Sequence, residues 1–509
     1  MENRFNLIDE AWIPVADHGR ASLRDIFSNP ELRSLGGNPV EKIALLKLLL
    51  AIAQAAATPE DNKAWQALGA DGLAQKCLEY LQRWHDCFWL YGERPFLQLP
   101  AIVAAKIYPY ASLSPQTASG NTTVLNESQI VEYFSDAERA VLLICQMGFC
   151  LGGKKADNAV VLTPGYTGKK NDKGNKSTPC PGSTIGSKGF LHSFLVGASI
   201  QQTLWLNLFT TQQIERSRKF ATGLGKPPWE TMPNGEDDTI ARDLRQSLIG
   251  RLIPLGRFCL LTDEGVHSSE GIAPQSNEAG FVDPTVAADY SNSKGPAFIW
   301  AKPDKRPWRE LVALLGFLSV QGKHSVTCWQ LEACLDRALD LVGTLGVWSG
   351  GLTVSTSMGE QKPSGTDDFV SSETLIPVSR DMSWLTLLNI EMDGLNSIMS
   401  KAKQMIRRYY EATTNGGKRF TPKQAKPINK IASKAEELFW QLCERDFQQL
   451  VNHCESTEDA MEARRQLRYG FTQYALQAYD HYCPNETARQ MDAWASCRPN
   501  FIDYLKLEV

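Results

Sequence analysis

The chain has 509 residues, of which 43% are hydrophobic and 22% are charged, and its formal net charge is −4. These values are those of a globular protein large enough for two or more hydrophobic cores, and we expect one large domain and one smaller one. They exclude a protein that coats nucleic acid without sequence preference, because that function needs a surface that is basic overall; local basic patches remain compatible with them.

The N-terminal region predicts a cytoplasmic protein. Its first residues, MENRFNLIDEAWIPV, contain acids and no apolar core, so we expect no signal peptide. The longest apolar stretch, residues 43–57, is interrupted by Lys47 and Gln54 and is too short to span a bilayer. It therefore predicts a core helix and no membrane contact. The 12 cysteines contain no C-x-x-C pair, which favours free thiols in a reducing compartment and argues against a zinc ribbon.

Helices are predicted at three places before residue 150. Asn38 followed by Pro39 is a typical start for the helix that contains the apolar stretch. Residues 67–92 also have helical spacing, and the chain up to residue 100 is then expected to be extended. Ser135 and Glu138 have the S-x-x-E spacing of a capping box, which predicts a short buried helix over about residues 136–148.

Glycine and lysine dominate residues 148–189. Within them, residues 167–189 hold five lysines and five glycines against one aspartate. Such a composition suits a solvated loop, and it equally suits a segment that contacts phosphate, because glycine lets backbone amides approach closely while lysine neutralises charge. Composition alone leaves both interpretations open.

The 148–155 stretch raises an alternative hypothesis, a nucleotide-dependent enzyme. Gly148, Gly153 and Lys154 satisfy the first seven positions of G-x-x-x-x-G-K-[ST], but position eight is Lys155, where Mg²⁺ needs a hydroxyl. The stretch also follows a predicted helix, whereas a nucleotide-binding loop follows a strand. Because the sequence contains neither H-E-x-x-H nor G-x-S-x-G, it favours a binding protein without catalytic activity. We expect no cofactor.

Beyond residue 190 the pattern changes to apolar runs typical of strands: FLHSFLV, TLWLNLF, LIPLGRFCLL and PAFIWA. Two helices are predicted at residues 307–320 and 327–345. Residues 351–378 have two β-rich arms around a tip with glycine and proline, which is the pattern of a long hairpin.

The last part of the chain has helical periodicity. One helix runs from about residue 383 to the stop signal at Asn415, a second restarts at Thr421, a third begins at Ser456, and a fourth follows from about residue 486. Four amphipathic segments with short connections predict an antiparallel bundle. The fold class is therefore α+β, with a large mixed α/β domain over residues 1–382 and a C-terminal four-helix bundle over residues 383–509.

The bundle contains a basic stretch. Residues 401–430 hold nine lysines and arginines, including Arg407 and Arg408, against the single acid Glu411. A run of charge on a helix is most often a solvated face, and phosphate contact is the other interpretation.

Four segments of the chain together resemble the CasA family, the large subunit of the type I-E CRISPR complex called Cascade. They are NLIDEAWIPV at residues 6–15, ERPFLQLP at 93–100, ASGNTTVLNES at 118–128 and the glycine pair at 152–153. The resemblance covers the whole chain, and that family also ends in a four-helix bundle. It implies a protein that recognises the protospacer-adjacent motif (PAM) in double-stranded DNA, helps to start R-loop formation and recruits a helicase-nuclease.

The resemblance also implies partners and contact residues. The partners are the guide RNA-bound backbone, 5′-handle-capping and small subunits of Cascade, with double-stranded target DNA and the helicase-nuclease. Leu125 and Asn126 match a loop near the 5′ handle of the guide RNA and the PAM. The glycine loop of the family, which faces the minor groove of the PAM duplex, matches Gly152 and Gly153 with Lys154 and Lys155 beside them.

A third element of the family is a glutamine at a hairpin tip, which wedges under the PAM. Here the tip corresponds to residues 358–365, and Gln361 with Lys362 is the best match. Arg407 and Arg408 belong to the candidate track for the displaced strand. The sequence departs from the family in having no lysine or arginine between Arg257 and Lys294, where a lysine finger is common. Some members also hold zinc with paired cysteines; Cys145 and Cys150 lie near one of those positions, but a second pair is missing, so we predict no metal.

Overall fold

A computed structural model of the chain describes residues 2–114, 133–153, 156–157, 159–163, 185–272, 281–293, 295–318, 324–341, 343–357, 360–363 and 368–507. The chain forms two compact units, one of Met1–Pro303 with Lys323–Glu373 and the other of Asp304–Gly322 with Thr374–Val509. The predicted division at residue 382 left Asp304–Gly322 out of the second unit.

The mixed α+β class predicted from the sequence is confirmed. The described helices are α1 (Leu23–Ser28), α2 (Pro39–Ala57), α3 (Asn62–Arg83), α4 (Tyr110–Leu113), α5 (Asp136–Gly148), α6 (Ile200–Asn207), α7 (Thr211–Ser217), α8 (Thr239–Arg245), α9 (Leu248–Leu252), α10 (Leu311–Leu314), α11 (Trp329–Ala338), α12 (Ser383–Thr414), α13 (Pro422–Glu444), α14 (Phe447–Asn452), α15 (Glu458–Tyr482), α16 (Ala488–Ser496) and α17 (Ile502–Leu505). The described strands are β1 (Arg4–Asn6), β2 (Ile13–Val15), β3 (Gly19–Ala21), β4 (Trp89–Tyr91), β5 (Ile107–Tyr108), β6 (His192–Val196), β7 (Arg257–Leu261), β8 (Val266–Glu270), β9 (Ala288–Asp289), β10 (Ala297–Phe298), β11 (Val326–Thr327), β12 (Gly346–Leu352), β13 (Ser355–Ser357), β14 (Glu360–Lys362) and β15 (Phe369–Leu375).

Two predicted helices of the first unit begin where the capping residues indicated. The Asn38 side chain accepts from the backbone N–H groups of Val40 and Glu41, and the Glu41 side chain accepts from the Asn38 backbone in return. Ser135 and Glu138 form the same reciprocal pair at the start of α5, which ends at Gly148 as predicted. Helix α2 is buried along most of its length. No helix within the described residues is both long and apolar enough to cross a bilayer.

Two other predictions were wrong in detail. The helix expected over residues 67–92 is α3, which begins earlier and ends at Arg83. Residues 203–209, expected to form a strand, lie mostly in α6. Ser199 caps that helix, and the Asn207 side chain bonds both the N–H and the C=O of Leu195 in β6. These tertiary contacts outweigh the local β propensity of the run.

The sheets of the first unit are small. The order β15–β12–β6 makes one three-stranded sheet, and β5–β8–β7 makes another. The register of β12 on β6 pairs Val347 with Leu195 and Trp348 with Phe194. The two arms of the predicted long hairpin are therefore the neighbouring strands β12 and β15, and a separate short hairpin, β13 with β14, is inserted between them.

The second unit is a helical bundle of α12, α13, α15 and α16. Helix α12 ends at the predicted stop, where Asn415 is its C-cap and Gly416 and Gly417 have positive φ. Trp308 joins this unit because its ring packs on the rings of Trp440 and Phe447. This contact explains why residues before the predicted boundary belong to the bundle.

Candidate nucleic-acid interface

The segment that follows α5, residues 149–153, is called the glycine segment here. Its first residue closes the helix, since the Phe149 N–H donates to the Cys145 carbonyl over 2.8 Å. Gly153 has φ +118°, a conformation that residues with a Cβ rarely adopt. Both glycines are buried in the free chain. The match of Gly152 and Gly153 to a loop that faces a DNA groove stays a prediction.

Gln361 does not lie at a hairpin tip. It lies within β14, opposite Thr356, and is 4% exposed. Its side-chain carbonyl accepts from the Gly152 N–H over 3.1 Å, and its amide nitrogen lies 3.0 Å from the Gly186 carbonyl and 3.3 Å from that of Ser187. Its backbone N–H donates to the Gly152 carbonyl over 2.9 Å. The predicted tip position is therefore wrong, because Gln361 is paired within a strand, and its contact with DNA stays a prediction.

Residues 185–189 complete this arrangement. Gly189, with φ +89°, packs so closely on β12 that an added Cβ would lie 1.7 Å from the Leu352 carbonyl oxygen. The Val354 N–H donates to the Lys188 carbonyl over 3.1 Å. The glycine segment, residues 185–189 and strand β14 therefore meet at one place, called the junction here. The half-buried Lys362 directly follows Gln361 in the same strand.

A buried arginine supports the glycine segment from another side. Arg257 is 1% exposed, and its guanidinium donates to the Gly256 carbonyl over 2.9 Å and to the Leu151 carbonyl over 3.4 Å. The Arg257 guanidinium therefore binds backbone carbonyls in the protein interior. Lys294, which ends the stretch without lysine or arginine that begins after Arg257, lies outside the described residues.

A buried ion pair lies beneath Phe149. Lys47 Nζ and Asp283 Oδ2 are 3.3 Å apart, and each side chain is 1% exposed. Thr285 Oγ1 donates to Asp283 Oδ1 over 2.7 Å and lies 2.8 Å from His192 Nδ1. The Phe149 ring stands 5.3 Å from the His192 ring and 5.8 Å from Lys47 Nζ. This network fixes the base of the glycine segment.

The charge of Asp283 is maintained by its neighbours. Burial opposes ionisation, but the Lys47 ammonium, together with His192 and the hydrogen bonds from Thr285, holds the pKa of the carboxyl below its ordinary value. The prediction from sequence missed this network. A single lysine within an apolar helix was the available signal, since a buried lysine requires a counter-charge, but the sequence did not show which acid supplies it.

Several predicted contact residues lie outside the described part of the chain: Leu125, Asn126, Lys154, Lys155 and the loop lysines Lys169, Lys170, Lys173 and Lys176. One end of the lysine-bearing stretch is nonetheless defined. The buried Glu236 carboxylate accepts from the N–H groups of Leu162, over 3.1 Å, and Thr163, over 2.8 Å. The chain is thus held just before residue 164.

The second unit presents a basic surface, defined here as Arg407, Arg408, Lys418, Arg419, Lys423 and Lys426. All six side chains are exposed. The nearest acid in sequence, Glu411, accepts from the Phe420 N–H over 3.1 Å. Two neighbouring lysines are used in ion pairs, Lys403 with Glu436 at 2.5 Å and Lys401 with Asp503 at 3.7 Å. The positive charge is therefore concentrated where α12 ends and α13 begins.

Neither a metal nor a nucleotide site is evident in the described ranges. These ranges contain no group of three or more histidine, cysteine or acidic side chains that could hold a metal ion. Cys145 and Cys150 are buried, and burial raises the pKa of the Cys145 thiol. The glycine segment follows helix α5, whereas a nucleotide-binding loop follows a strand.

Comparisons with known proteins place these features in context. The model of the family CRISPR-associated protein Cse1 matches residues 6–478. The CasA/Cse1 protein of Thermus thermophilus is 35% identical over 168 residues, which are 30% of this chain and 32% of that protein. The crystal structure of Thermus thermophilus CasA matches with a TM-score of 0.72 at 19% identity over 99% of both chains. A chain of a CRISPR RNA-guided surveillance complex matches with a TM-score of 0.69 at 14% identity, over 98% of this chain and 99% of that one.

Proposed function

The chain belongs to the CRISPR-associated Cse1 family, and from this we propose that it is the large subunit of the type I-E surveillance complex Cascade. Its partners are the guide RNA-bound backbone, 5′-handle-capping and small subunits, and the helicase-nuclease that cuts the target. The chain itself recognises the PAM in double-stranded DNA and helps to start strand separation. Base pairing with the guide then reads the target sequence.

The observation that carries this proposal is the junction. The family resemblance assigned DNA contact to a glycine segment and to a hairpin that are about two hundred residues apart, and Gln361 Oε1 bonds Gly152 N across 209 residues of sequence. Two elements that act on one short duplex have to lie side by side, and they do. A glycine backbone beside a lysine-bearing strand suits a groove edge and its phosphates.

Reconstitution tests the proposal. Guide RNA-loaded complexes with and without this chain are mixed with a guide-matched duplex flanked by a randomised motif. We expect strand opening only with the chain, detected by permanganate reactivity of the displaced thymines, and enrichment of a short flanking motif. Equal opening without the chain would contradict the proposal. Turnover of ATP with Mg²⁺ that Lys154→Ala abolishes would instead support a nucleotide-dependent enzyme.

The basic surface serves as a contact for the displaced strand in this proposal. Changing Arg407, Arg408 and Arg419 to glutamine should weaken duplex binding at low salt and flatten its salt dependence, because fewer counterions are released. At roughly 0.7 per phosphate contact on a single strand, the slope of log K against log salt should fall by about 2. Binding of guide-matched duplex by the complete complex, measured over a salt series, checks this.

A matched variant gives the control. Changing Lys63, Lys76 and Arg83 to glutamine removes the same charge from exposed positions on α3. This control should leave the slope unchanged. A similar slope change in both variants would show that net charge, and not the basic surface, determines the salt dependence.

A further inference from the structure

We propose that Gln361 is a positioning residue that clasps the glycine segment to the hairpin, and that DNA recognition depends on this clasp. The inference rests on the proposed function, and it assigns Gln361 a role other than insertion into DNA. Its basis is the set of contacts at the junction.

The side chain of Gln361 makes three hydrogen bonds, and all three are to backbone groups of the protein. Its carbonyl accepts from the Gly152 N–H at 3.1 Å, and its amide nitrogen faces two carbonyl oxygens, those of Gly186 at 3.0 Å and Ser187 at 3.3 Å. These partners also fix the orientation of the amide, because a flipped side chain would set donor against donor and acceptor against acceptor. With 4% of the residue exposed, water has little access to replace those bonds.

Insertion into DNA would require the amide to leave this place. The Gly152 N–H and the carbonyls of Gly186 and Ser187 would then lose a buried partner, and buried polar groups without partners are unfavourable. The clasp requires no such loss. It holds the backbone of the glycine segment in one position before a duplex binds, so that binding does not have to order this segment.

The side-chain amide of Gln361 also joins the two segments that precede and follow the lysine-bearing stretch. Gly152 precedes the lysine-bearing stretch 164–184 and Gly186 follows it, so Gln361 ties both sides to β14. Arg257 donates to the carbonyl of the neighbouring Leu151. Gly152 is the residue of the glycine segment that the hairpin contacts through Gln361. A change at Gln361 should therefore alter recognition of the flanking duplex in every target.

Two variants and a control test the clasp. Gln361→Met keeps the length of the side chain and removes all its hydrogen bonds, while Gln361→Glu keeps an acceptor for Gly152 and loses both donors. Gln66→Met is the matched control, at an exposed position of α3 in the same unit. Hydrogen exchange in the free full-length chain should show loss of protection at the Gly152 amide in Gln361→Met and retained protection in Gln66→Met, with Gln361→Glu between them because its carboxylate can accept from Gly152 but faces the carbonyls of Gly186 and Ser187.

DNA binding separates positioning from insertion. The reconstituted complex is given two guide-matched probes with the same flanking duplex, one closed and one pre-opened across the guide-paired region. Loss of a buried hydrogen bond corresponds to about tenfold in affinity, and we expect Gln361→Met to lose about tenfold on both probes. Gln361→Glu should also bind both probes more weakly than the unaltered complex, and Gln66→Met should bind like it.

Three results would overturn the clasp: a Gly152 amide that stays protected in Gln361→Met, weakened binding of the closed probe alone, or equal behaviour of Gln361→Met and Gln66→Met. The second is the pattern expected of direct insertion. Failure of the unaltered complex to bind either probe would contradict the proposed function, and the exchange measurement would still decide whether the clasp exists. If Gln361→Met does not fold, Gln361→Glu is decisive, and unchanged binding of both probes by it overturns the proposal.

Discussion

Asp283→Asn should lower the free energy of unfolding of the first unit by about 3–5 kcal/mol, the usual cost of removing one partner of a buried ion pair. Lys47 would lose its counter-charge at a site where its side chain is 1% exposed and where burial already lowers the pKa of its ammonium group. Arg251 lies near enough to act on both groups electrostatically, so removal of the Asp283 charge is felt by more than one cation. Hydrogen exchange of α2 amides in the full chain measures the loss.

A surface aspartate provides the control. Asp263 is 84% exposed and pairs with Arg4 at 3.6 Å and with Arg139 at 3.5 Å. Because exposed pairs contribute about 0–1 kcal/mol, Asp263→Asn should have at most that effect. Equal effects of the two variants would show that burial of the Lys47–Asp283 pair is not what makes it important. Adding Lys47→Met to Asp283→Asn should restore part of the lost stability.

The same carboxylate predicts a dependence on pH. Its pKa in the folded chain lies below the ordinary value, so the unfolded chain binds more protons between the two values. The stabilisation is therefore complete above the ordinary aspartate pKa and is lost as the pH falls through the lowered one. Acid titration followed by α2 exchange should show a smaller loss of stability in Asp283→Asn than in the unaltered chain.

The second large effect is expected in the bundle. Glu391 is 0% exposed on α12, and its carboxylate receives Arg468 Nε over 3.0 Å and Arg468 Nη2 over 2.5 Å, with Arg464 Nε 3.6 Å away. Glu391→Gln would remove the carboxylate charge that the buried Arg468 guanidinium contacts through two nitrogens. We expect a loss of about 3–5 kcal/mol in the unfolding free energy of the second unit, measured by exchange of α12 and α15 amides.

The comparison is an exposed ion pair on α15, the helix that also carries Arg464 and Arg468. Glu462 and Arg465 lie 2.6 Å apart with more than half of each side chain exposed. Glu462→Gln should change stability by at most about 1 kcal/mol. If both glutamate variants lost the same amount, the bundle would not depend on its buried charges.

The features that could be predicted from the sequence are those set by neighbouring residues. Asn38 with Pro39 and Ser135 with Glu138 marked helix starts correctly because a cap involves only the first turn. Residues 203–209 were misassigned because the Asn207 contact with Leu195 depends on a fold-back that local propensity does not show.

The candidate site was predicted less completely for the same reason. The sequence singled out Gly152 and Gln361 as separate elements, and the hydrogen bond between them spans 209 residues. The residues around Gln361 include glycine and proline, which indicate a turn but do not show where its apex lies. They also do not show that Gln361 is buried or which groups it bonds. The Lys47 partner was hidden likewise, because Asp283 lies 236 residues away.

The two tethers that flank the lysine-bearing stretch have a consequence for how this protein can diversify. Glu236 secures the chain at Thr163, and Gln361 secures it at Gly186. Between fixed ends, doubling the number of intervening residues costs only about 0.6 kcal/mol of closure entropy. Insertions, deletions and changes of charge can therefore accumulate between the two tethers at little cost to the packing of the first unit.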